Sequence, residues 1–518
     1  VSAEQQWWRD AVIYQVYPRS FADSDADGVG DLDGIRARLG HLRDLGVDAI
    51  WMSPWYPSPM ADAGYDVADF RDIDPVFGTL ADAEALIAEA HAAGIRMIVD
   101  IVPNHVSSEH PWFRAALASP DAAERDYFWF RAPAERMPTA WTGEFGGPTW
   151  SRAPDGAWYL HLFTPQQPDL NWDHPHVRAE FEDILRFWFD RGVDGIRIDS
   201  AALLVKDRDL PEVRDGAPHP FHDLDAVHEV YRSWRRIADE YPQRALIGEV
   251  WLPDVERFTN YLRPDELHAA FNFDFLGCAW DPYRMRACID RTVDAHARVG
   301  APPTWVLSNH DVTRHVTRYG RADTTFSFAN NLDGTPVDLE LGTRRARAAA
   351  LLSLSLPGSV YVYQGEELGL WENENIAEDQ IQDPMYARRG HTRDGCRVPL
   401  PWAGDEPPFA FTTATPWLPQ PAEWKDRTVQ AQTGDPTSML ELYRTAIRLR
   451  RDHITGPAMA WLDSSPEVLA YTRGPGFACV LNLSGAPVPL PEHQTRLLAS
   501  GPIDGDLLPR DTAVWLRL

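Results

Sequence analysis

Gly195-Ile-Arg-Ile-Asp-Ser200 is a short β-branched run that ends in a carboxylate and follows a helical pattern over Pro175–Gly192. Strand side chains alternate with period two, so Ile196 and Ile198 take one face and Arg197 and Asp199 the other. An Arg beside an Asp holds that Asp ionised. The hexapeptide reads either as a structural Arg–Asp pair or as a nucleophile at a strand tip, and later runs decide between the two. Ala245-Leu-Ile-Gly-Glu-Val-Trp251 again ends an apolar run in a carboxylate, Glu249. Thr304-Trp-Val-Leu-Ser-Asn-His-Asp311 ends in His310 and Asp311, and Val102-Pro-Asn-His105 closes another such run. Acids at the tips of successive strands make a site.

Around these runs the chain alternates strand and helix patterns. Strands are expected at Ala11–Pro18, Ala49–Tyr56, Met97–Asn104, from Gly195, from Ala245, at Ala269–Phe275, Thr304–Asp311 and Val360–Gln364. Helices are expected between them at Ile35–Leu45, Leu80–Ala93, Val227–Tyr241, Val255–Leu262, Tyr283–Val299 and Thr343–Leu356, with Met439–His453 closing the ring. About eight such pairs imply an α/β fold, a (β/α)8 TIM barrel, with its chemistry at the C-terminal strand ends. Residues 106–173, rich in Pro, Trp and Phe, interrupt the alternation with no clean helix–strand pair and read as an inserted domain after strand three. The barrel then comprises 1–105 and 174–454, and the short apolar runs of 455–518 read as a C-terminal β-sandwich domain. The long segment Glu367–Pro436 has the length of an active-site lid.

Composition narrows the partners. A net charge of −28, from 49 basic and 77 acidic residues, argues against nucleic acid and anionic membranes and is compatible with a neutral substrate. Lys206 and Lys425 are the only lysines, a bias read as codon usage. Cys278, Cys288, Cys396 and Cys479 lack metal-type spacing and are expected as free, mostly buried thiols. No run approaches the ~18 apolar residues of a membrane span. Val1–Asp10 does not read as a signal peptide, so a cytoplasmic location is expected, with a removed leader left open by the missing initiator Met.

Asp23-Ser-Asp-Ala-Asp-Gly-Val-Gly-Asp31 sets acids at alternate positions with glycines for a tight turn, as in the first half of an EF-hand loop. Gly34 stands where the bidentate Glu would be, which argues against an EF-hand sensor. The loop reads as a structural Ca²⁺ or Mg²⁺ site, with Asp23, Asp25, Asp27 and Asp31 as carboxylate ligands and Val29 as a carbonyl ligand, or as a solvated acidic turn. No organic cofactor is expected.

The four strand-end motifs, in this order, resemble the α-amylase superfamily, glycoside hydrolase family 13, and within it the exo-acting α-glucosidase and oligo-1,6-glucosidase branch. The similarity runs from Trp8 to the C-terminus, and the acidic loop matches one found in that branch. The resemblance implies Asp199 as nucleophile, Glu249 as acid/base and Asp311 as the third carboxylate, which favours the distorted, oxocarbenium-like transition state. It implies His105 and His310 as contacts to hydroxyls of the same glucose. It pairs Asp66, in Gly64-Tyr-Asp-Val67, with Arg397, in Arg393-Asp-Gly-Cys-Arg-Val-Pro399, to close the pocket beyond the non-reducing sugar; an ordinary surface salt bridge is the other reading. Phe163 is implied near the bound sugar, with core packing equally open.

The residues themselves support a division of labour. The apolar neighbours Val250 and Trp251 are expected to raise the Glu249 carboxyl, as a general acid requires, while Arg197 lowers Asp199. Adjacent strands suit the short carboxyl separation of a retaining mechanism, about 5 to 5.5 Å. With the roles above, the resemblance implies release of α-glucose from the non-reducing end of short α-glucosides through a covalent glucosyl-enzyme. Ser200, following the nucleophile, favours α-1,4 linkages such as maltose, since α-1,6-specific relatives tend to carry Val there; Val106 replaces a Thr common among relatives. The alternative is a transglucosidase or a sucrose or trehalose isomerase using the same first half-reaction. A non-catalytic relative of the transporter heavy-chain type is disfavoured, because those carry a membrane anchor and lack the intact acid set. The partner implied is an oligosaccharide; oligomeric state is not implied.

Overall fold

The computed structural model describes residues 6–328, 332–454 and 456–518. The expected boundary at Thr455, and the first five residues of Val1–Asp10, lie outside the described residues.

Eight parallel strands form the nearly closed barrel: β1 (Val12–Val16), β2 (Ala49–Met52), β3 (Arg96–Ile101), β4 (Gly195–Ile198), β5 (Ala245–Gly248), β6 (Ala269–Ala270), β7 (Thr304–Val306) and β8 (Ser359–Tyr363). The hydrogen-bonded order runs β7-β8-β1-β2-β3-β4-β5-β6. Across the seam between β6 and β7, the Thr304 hydroxyl donates to the Ala270 carbonyl at 2.6 Å. The strands are almost wholly buried, as parallel strands covered on both faces must be. Ile196 and Ile198 point outward into the apolar layer shared with the helices, whereas Trp51, Ile98 and Ile247 fill the interior.

The outer helices bury amphipathic faces. Pro175–Asp190, with Pro175 at its first position, buries Val177, Phe181, Ile184, Leu185, Trp188 and Phe189, at spacings of three, four and one. Each such side chain contributes roughly 1.5–3 kcal/mol on burial. The helix expected at Ile35–Leu45 is two helices, Leu32–Ala37 and Leu39–Leu45, meeting at Arg38. Strand six is much shorter than the expected Ala269–Phe275. Asn272 accepts the Phe275 N–H as a helix N-cap, so Phe273–Leu276 turns into a helix directly after β6.

The interruption after β3 carries a helix, Pro111–Ala118, and a small antiparallel sheet of Phe130–Arg131, Trp158–Leu160 and Trp150–Arg152. It therefore has more regular structure than its composition suggested. Short helices punctuate Glu367–Pro436, including Tyr386–Arg389 and Asp394–Arg397. At the C-terminus a five-stranded antiparallel sheet packs on helix Leu339–Ser355, where the Trp515 indole donates to the Leu351 carbonyl. A two-stranded ribbon, Val488–Pro489 with Leu507–Leu508, joins the apolar cluster on the other face. All four cysteines are free thiols and all but Cys278 are buried. Among the described residues no helix is long and apolar enough to cross a membrane.

Candidate active site

Register brings the strand-end acids together. Arg197 on β4 lies beside Asp100 on β3 and Ile247 on β5, and Ile198 lies beside Gly248. With period two, Asp199 and Glu249 emerge one step above Arg197, on the interior face at the C-terminal rim. Arg197 is 2% exposed and serves three carboxylates. Its Nη1 donates to both oxygens of Asp100 (2.8 and 2.9 Å) and to Asp199 Oδ1 (2.8 Å), and its Nη2 donates to Glu249 Oε2 (2.5 Å). Trp51 packs its ring 5.0 Å from the guanidinium carbon. Glu249 also accepts the Ser200 backbone N–H (3.0 Å) and the Trp251 indole N–H (2.9 Å), and Trp251 is held by a parallel stack on Phe273.

The charge balance differs from the simple expectation that Arg197 keeps Asp199 ionised. Burial pushes the Asp199 carboxyl well above the ordinary range, Arg197 opposes this, and the charges of Glu249 and Asp100 add to the rise. Burial likewise raises Asp100 to about 7 against Arg197. One guanidinium cannot offset three buried carboxylates, so the unliganded cluster retains a proton. Asp199 and Glu249 are close enough to share a hydrogen bond.

Asp311 sits beside two arginines. Arg393 and Arg397 donate to its Oδ1 at 2.9 and 3.0 Å, and His310 Nε2 lies 3.2 Å from its Oδ2. Burial alone would raise this carboxyl; His310, Arg393 and Arg397 more than reverse that and hold it far below the usual range. His310 stacks on Tyr65 at 5.2 Å, and its Nδ1 lies 2.7 Å from the Gln15 amide nitrogen. Burial lowers His310 to about 3 and His105 to about 4, so both rings are neutral near pH 7.

The expected Asp66–Arg397 closure is corrected. Asp66 accepts the backbone N–H groups of Ala61 and Asp62, both at 2.9 Å, and so shapes the turn before it. Met60 (φ 62°), Ala63 (φ 52°) and Gly64 (φ 103°) occupy the left-handed region in that turn. Arg397 instead donates to the His310 carbonyl (2.8 Å) and to Asp311. The ion pair in the pocket joins Asp62 to Arg393 at 2.9 Å, with Asp383 braced on the same guanidinium at 2.7 Å. Each residue named from sequence is thus four positions from the one that makes the pair.

These groups line a cavity of about 220 Å³, with Asp62, Tyr65, His105, His310, Asp311 and Arg393 at its polar end. Phe163, Ser200 and the acids face the same space, and Phe163 packs 4.9 Å from His105 and 5.2 Å from Phe145. Sequence reasoning missed Asp62, Tyr65, Asp100, Glu144, Phe145, Trp251, Phe328 and Arg393. Asp100 was visible as an acid inside strand three, with the same in-strand placement as Arg197. Nothing local marks Glu144 or Phe328.

Of the expected metal ligands, Asp23, Asp25 and Asp27 gather, each offering an oxygen within 4.8 Å of the others. Their arrangement is held by backbone donors: Asp23 accepts from Asp25, Ala26 and Gly28, and Asp27 from Val29. Asp31 is directed elsewhere. It caps helix Leu32–Ala37 through the Gly34 N–H (2.7 Å) and also accepts from the Ser24 N–H and hydroxyl. The three gathered carboxylates suit a hard cation.

Residues 15–456 match the family described as Alpha amylase, catalytic domain. Over 93% of this chain and 90% of the other, it is 38% identical to a probable alpha-glucosidase of Rhizobium meliloti (strain 1021). Over 91% of this chain and 88% of the other, it is 34% identical to the oligo-1,6-glucosidase of Parageobacillus thermoglucosidasius. Its structure superposes on that of an alpha-glucosyl transfer enzyme, XgtA, with a TM-score of 0.86 and 34% identity over 99% of both chains. A matching barrel, a matching order of strand-end acids and a family match across most of the length agree: the chain belongs to the α-amylase family of glycoside hydrolases.

Proposed function

We propose that this protein is a retaining exo-α-glucosidase that releases α-glucose from the non-reducing end of short α-glucosides. The observation that carries the reading is the pair Asp199 and Glu249 on one guanidinium, facing a pocket that the Asp62–Arg393 ion pair closes at its polar end. A pocket blocked there admits a chain end and excludes a chain passing through. Substrate binding separates the two acids, leaving Asp199 to attack the anomeric carbon while Glu249 gives a proton to the leaving oxygen. Water activated by Glu249 then displaces Asp199, and two inversions return the α-anomer. Asp311, held anionic, and the neutral rings of His105 and His310 are assigned to hydroxyls of the same glucose. Arg397 orients Asp311, and Asp66 shapes the turn that presents Asp62.

Ser200 borders the acid/base through its N–H and faces the pocket, a small polar wall that favours α-1,4 over α-1,6 linkages. Glucosyl transfer to a sugar or alcohol acceptor is the second reading. It is favoured by the likeness to XgtA and by the aromatic mouth of Phe145, Phe163, Trp251 and Phe328, which would seat an acceptor and exclude water. Asp23, Asp25 and Asp27 are assigned a bound Ca²⁺ or Mg²⁺ that would neutralise their mutual repulsion and brace the loop after β1. The division into barrel, inserted domain and C-terminal domain belongs to the same proposal, supported by their separate sheets.

Incubation with maltose, isomaltose, sucrose, trehalose and soluble starch, followed by chromatography and anomer analysis, tests the proposal. Maltose is expected to give α-glucose first, with starch almost untouched. Mid-chain cleavage of starch refutes the closed pocket, and β-glucose as first product refutes retention. Conversion of sucrose or maltose mainly to isomeric disaccharides replaces hydrolysis by transfer.

A further inference from the structure

Of the two lysines in a chain that otherwise uses arginine, Lys206 is wholly buried. Its ammonium has three hydrogens and meets three close acceptors: Asn104 Oδ1 at 2.7 Å, Asp169 Oδ2 at 2.7 Å and the Leu203 carbonyl at 2.8 Å. A planar guanidinium with five diverging donors does not fit that arrangement. Asp169 is anchored in turn by the Leu162 N–H at 2.9 Å. Lys206 thus ties together the end of β3, the inserted segment near Phe163 and the loop after Asp199, which are three walls of one pocket.

The consequence lies at His105. Asn104 turns its oxygen to Lys206, which can only donate, and so presents its NH₂ to His105 Nδ1 at 3.1 Å. A nitrogen facing a donor must accept, which places the imidazole proton on Nε2. At Nε2 the neighbours disagree. The Tyr65 carbonyl, 3.1 Å away, requires a donor, whereas the Gln167 amide nitrogen, 3.0 Å away, would donate to a bare Nε2. The Gln167 oxygen is occupied by Thr164, so that amide has no reason to turn over. The tautomer of His105 is therefore contested at one end of the ring and decided at the other.

We propose that Lys206 is a positioning residue: acting through Asn104, it fixes His105 as the Nε2–H tautomer, whose N–H is held by the Tyr65 carbonyl in this structure and is shared with a sugar hydroxyl that enters the pocket. The donor's sugar partner rests on the reading of this pocket as a glucosyl site; the relay itself does not.

Full-length protein labelled with ¹⁵N-histidine, with His105→Gln to assign the resonance, reports the tautomer directly at neutral pH. Wild-type His105 is expected to carry its proton on Nε2. Asn104→Asp keeps a partner for Lys206 but offers Nδ1 only acceptors, so its His105 is expected to switch to Nδ1–H. Lys206→Met frees the Asn104 amide to turn, giving a mixture or the Nδ1–H form. Each switch is expected to lower kcat/KM on maltose by roughly tenfold to a hundredfold, as loss of an aligned donor does. Asn104→Asp decides the question where Lys206→Met does not fold. Wild-type protonation at Nδ1, Nε2–H retained in every folded variant, or a switched tautomer with undiminished kcat/KM each overturns the proposal. A wild type that releases glucose from no α-glucoside overturns the glucosyl-site reading, and the resonance then judges the relay alone.

Discussion

Two of the clusters of three carboxylates in this molecule are held in opposite ways. Asp100, Asp199 and Glu249 are buried at the barrel rim around a single guanidinium. Asp23, Asp25 and Asp27 lie on a largely exposed loop after β1, braced by backbone N–H groups. Burial raises Asp199 and Asp100 despite Arg197, because desolvation penalises charge more than one shared cation repays. At the loop, burial also raises Asp23, but the Thr412 hydroxyl and backbone donors reverse it, and its carboxyl lies below the ordinary value. Identical carboxyls thus hold their protons more tightly at Asp199 and Asp100 and give them up more readily at Asp23. Desolvation wins at the rim and poises that cluster for proton transfer, whereas at Asp23 the hydrogen-bond donors win.

The largest test of that contrast removes the shared cation. Arg197→Met is expected to cost about 3 to 5 kcal/mol of stability by leaving buried carboxylates uncompensated. It should also lower kcat/KM by at least about 10³-fold through lost electrostatic organisation. Chemical denaturation and steady-state kinetics on maltose measure both, and unchanged stability would break the counter-charge account.

A smaller effect is expected from pH. Asp100 is pushed up to about 7 in the folded protein, against about 4 unfolded. A raised folded pKa means that the native state binds the extra proton. Its contribution is full below about pH 4 and is lost as pH rises through about 7, up to a few kcal/mol. Melting curves between pH 5 and 8 should therefore fall less steeply for Asp100→Asn than for wild type. Parallel curves would show that Asp100 is already ionised on Arg197.

The smallest change belongs to the exposed loop. Chelation is expected to lower the melting midpoint by a few degrees and leave the catalytic groups in place, since a cation at 100 Kd stabilises by about 2.7 kcal/mol. Asp25→Asn should remove the response to chelator. Identical midpoints with and without chelator, and no metal by elemental analysis, would retire the cation and leave an acidic turn.

Much of the barrel was legible because parallel strands buried on both faces are short apolar runs, and helices between them show their own period. β6 was overextended because Phe271 and Phe273 continue a strand-like run, and only the Asn272 side chain, by capping, ends it. The strand-end acids were legible for the same reason of periodicity. The pocket-closing pair was not: Asp62 and Asp66, like Arg393 and Arg397, stand four apart in loops, where no period assigns a side chain to a face. Asp66 was drawn into backbone bonds of its own turn, and Arg397 onto Asp311.

By itself, the sequence determined the alternation of strands and helices and, through the two-residue period, which acids share the interior face. Those are local properties of neighbouring residues. The tertiary structure alone decided that Asp62 meets Arg393, that Asn104 is oriented by Lys206, and that Arg197 must serve three carboxylates at once. Such pairings join residues from separate loops and strands, and the protons they hold depend on burial, which exists only once the barrel has closed around them.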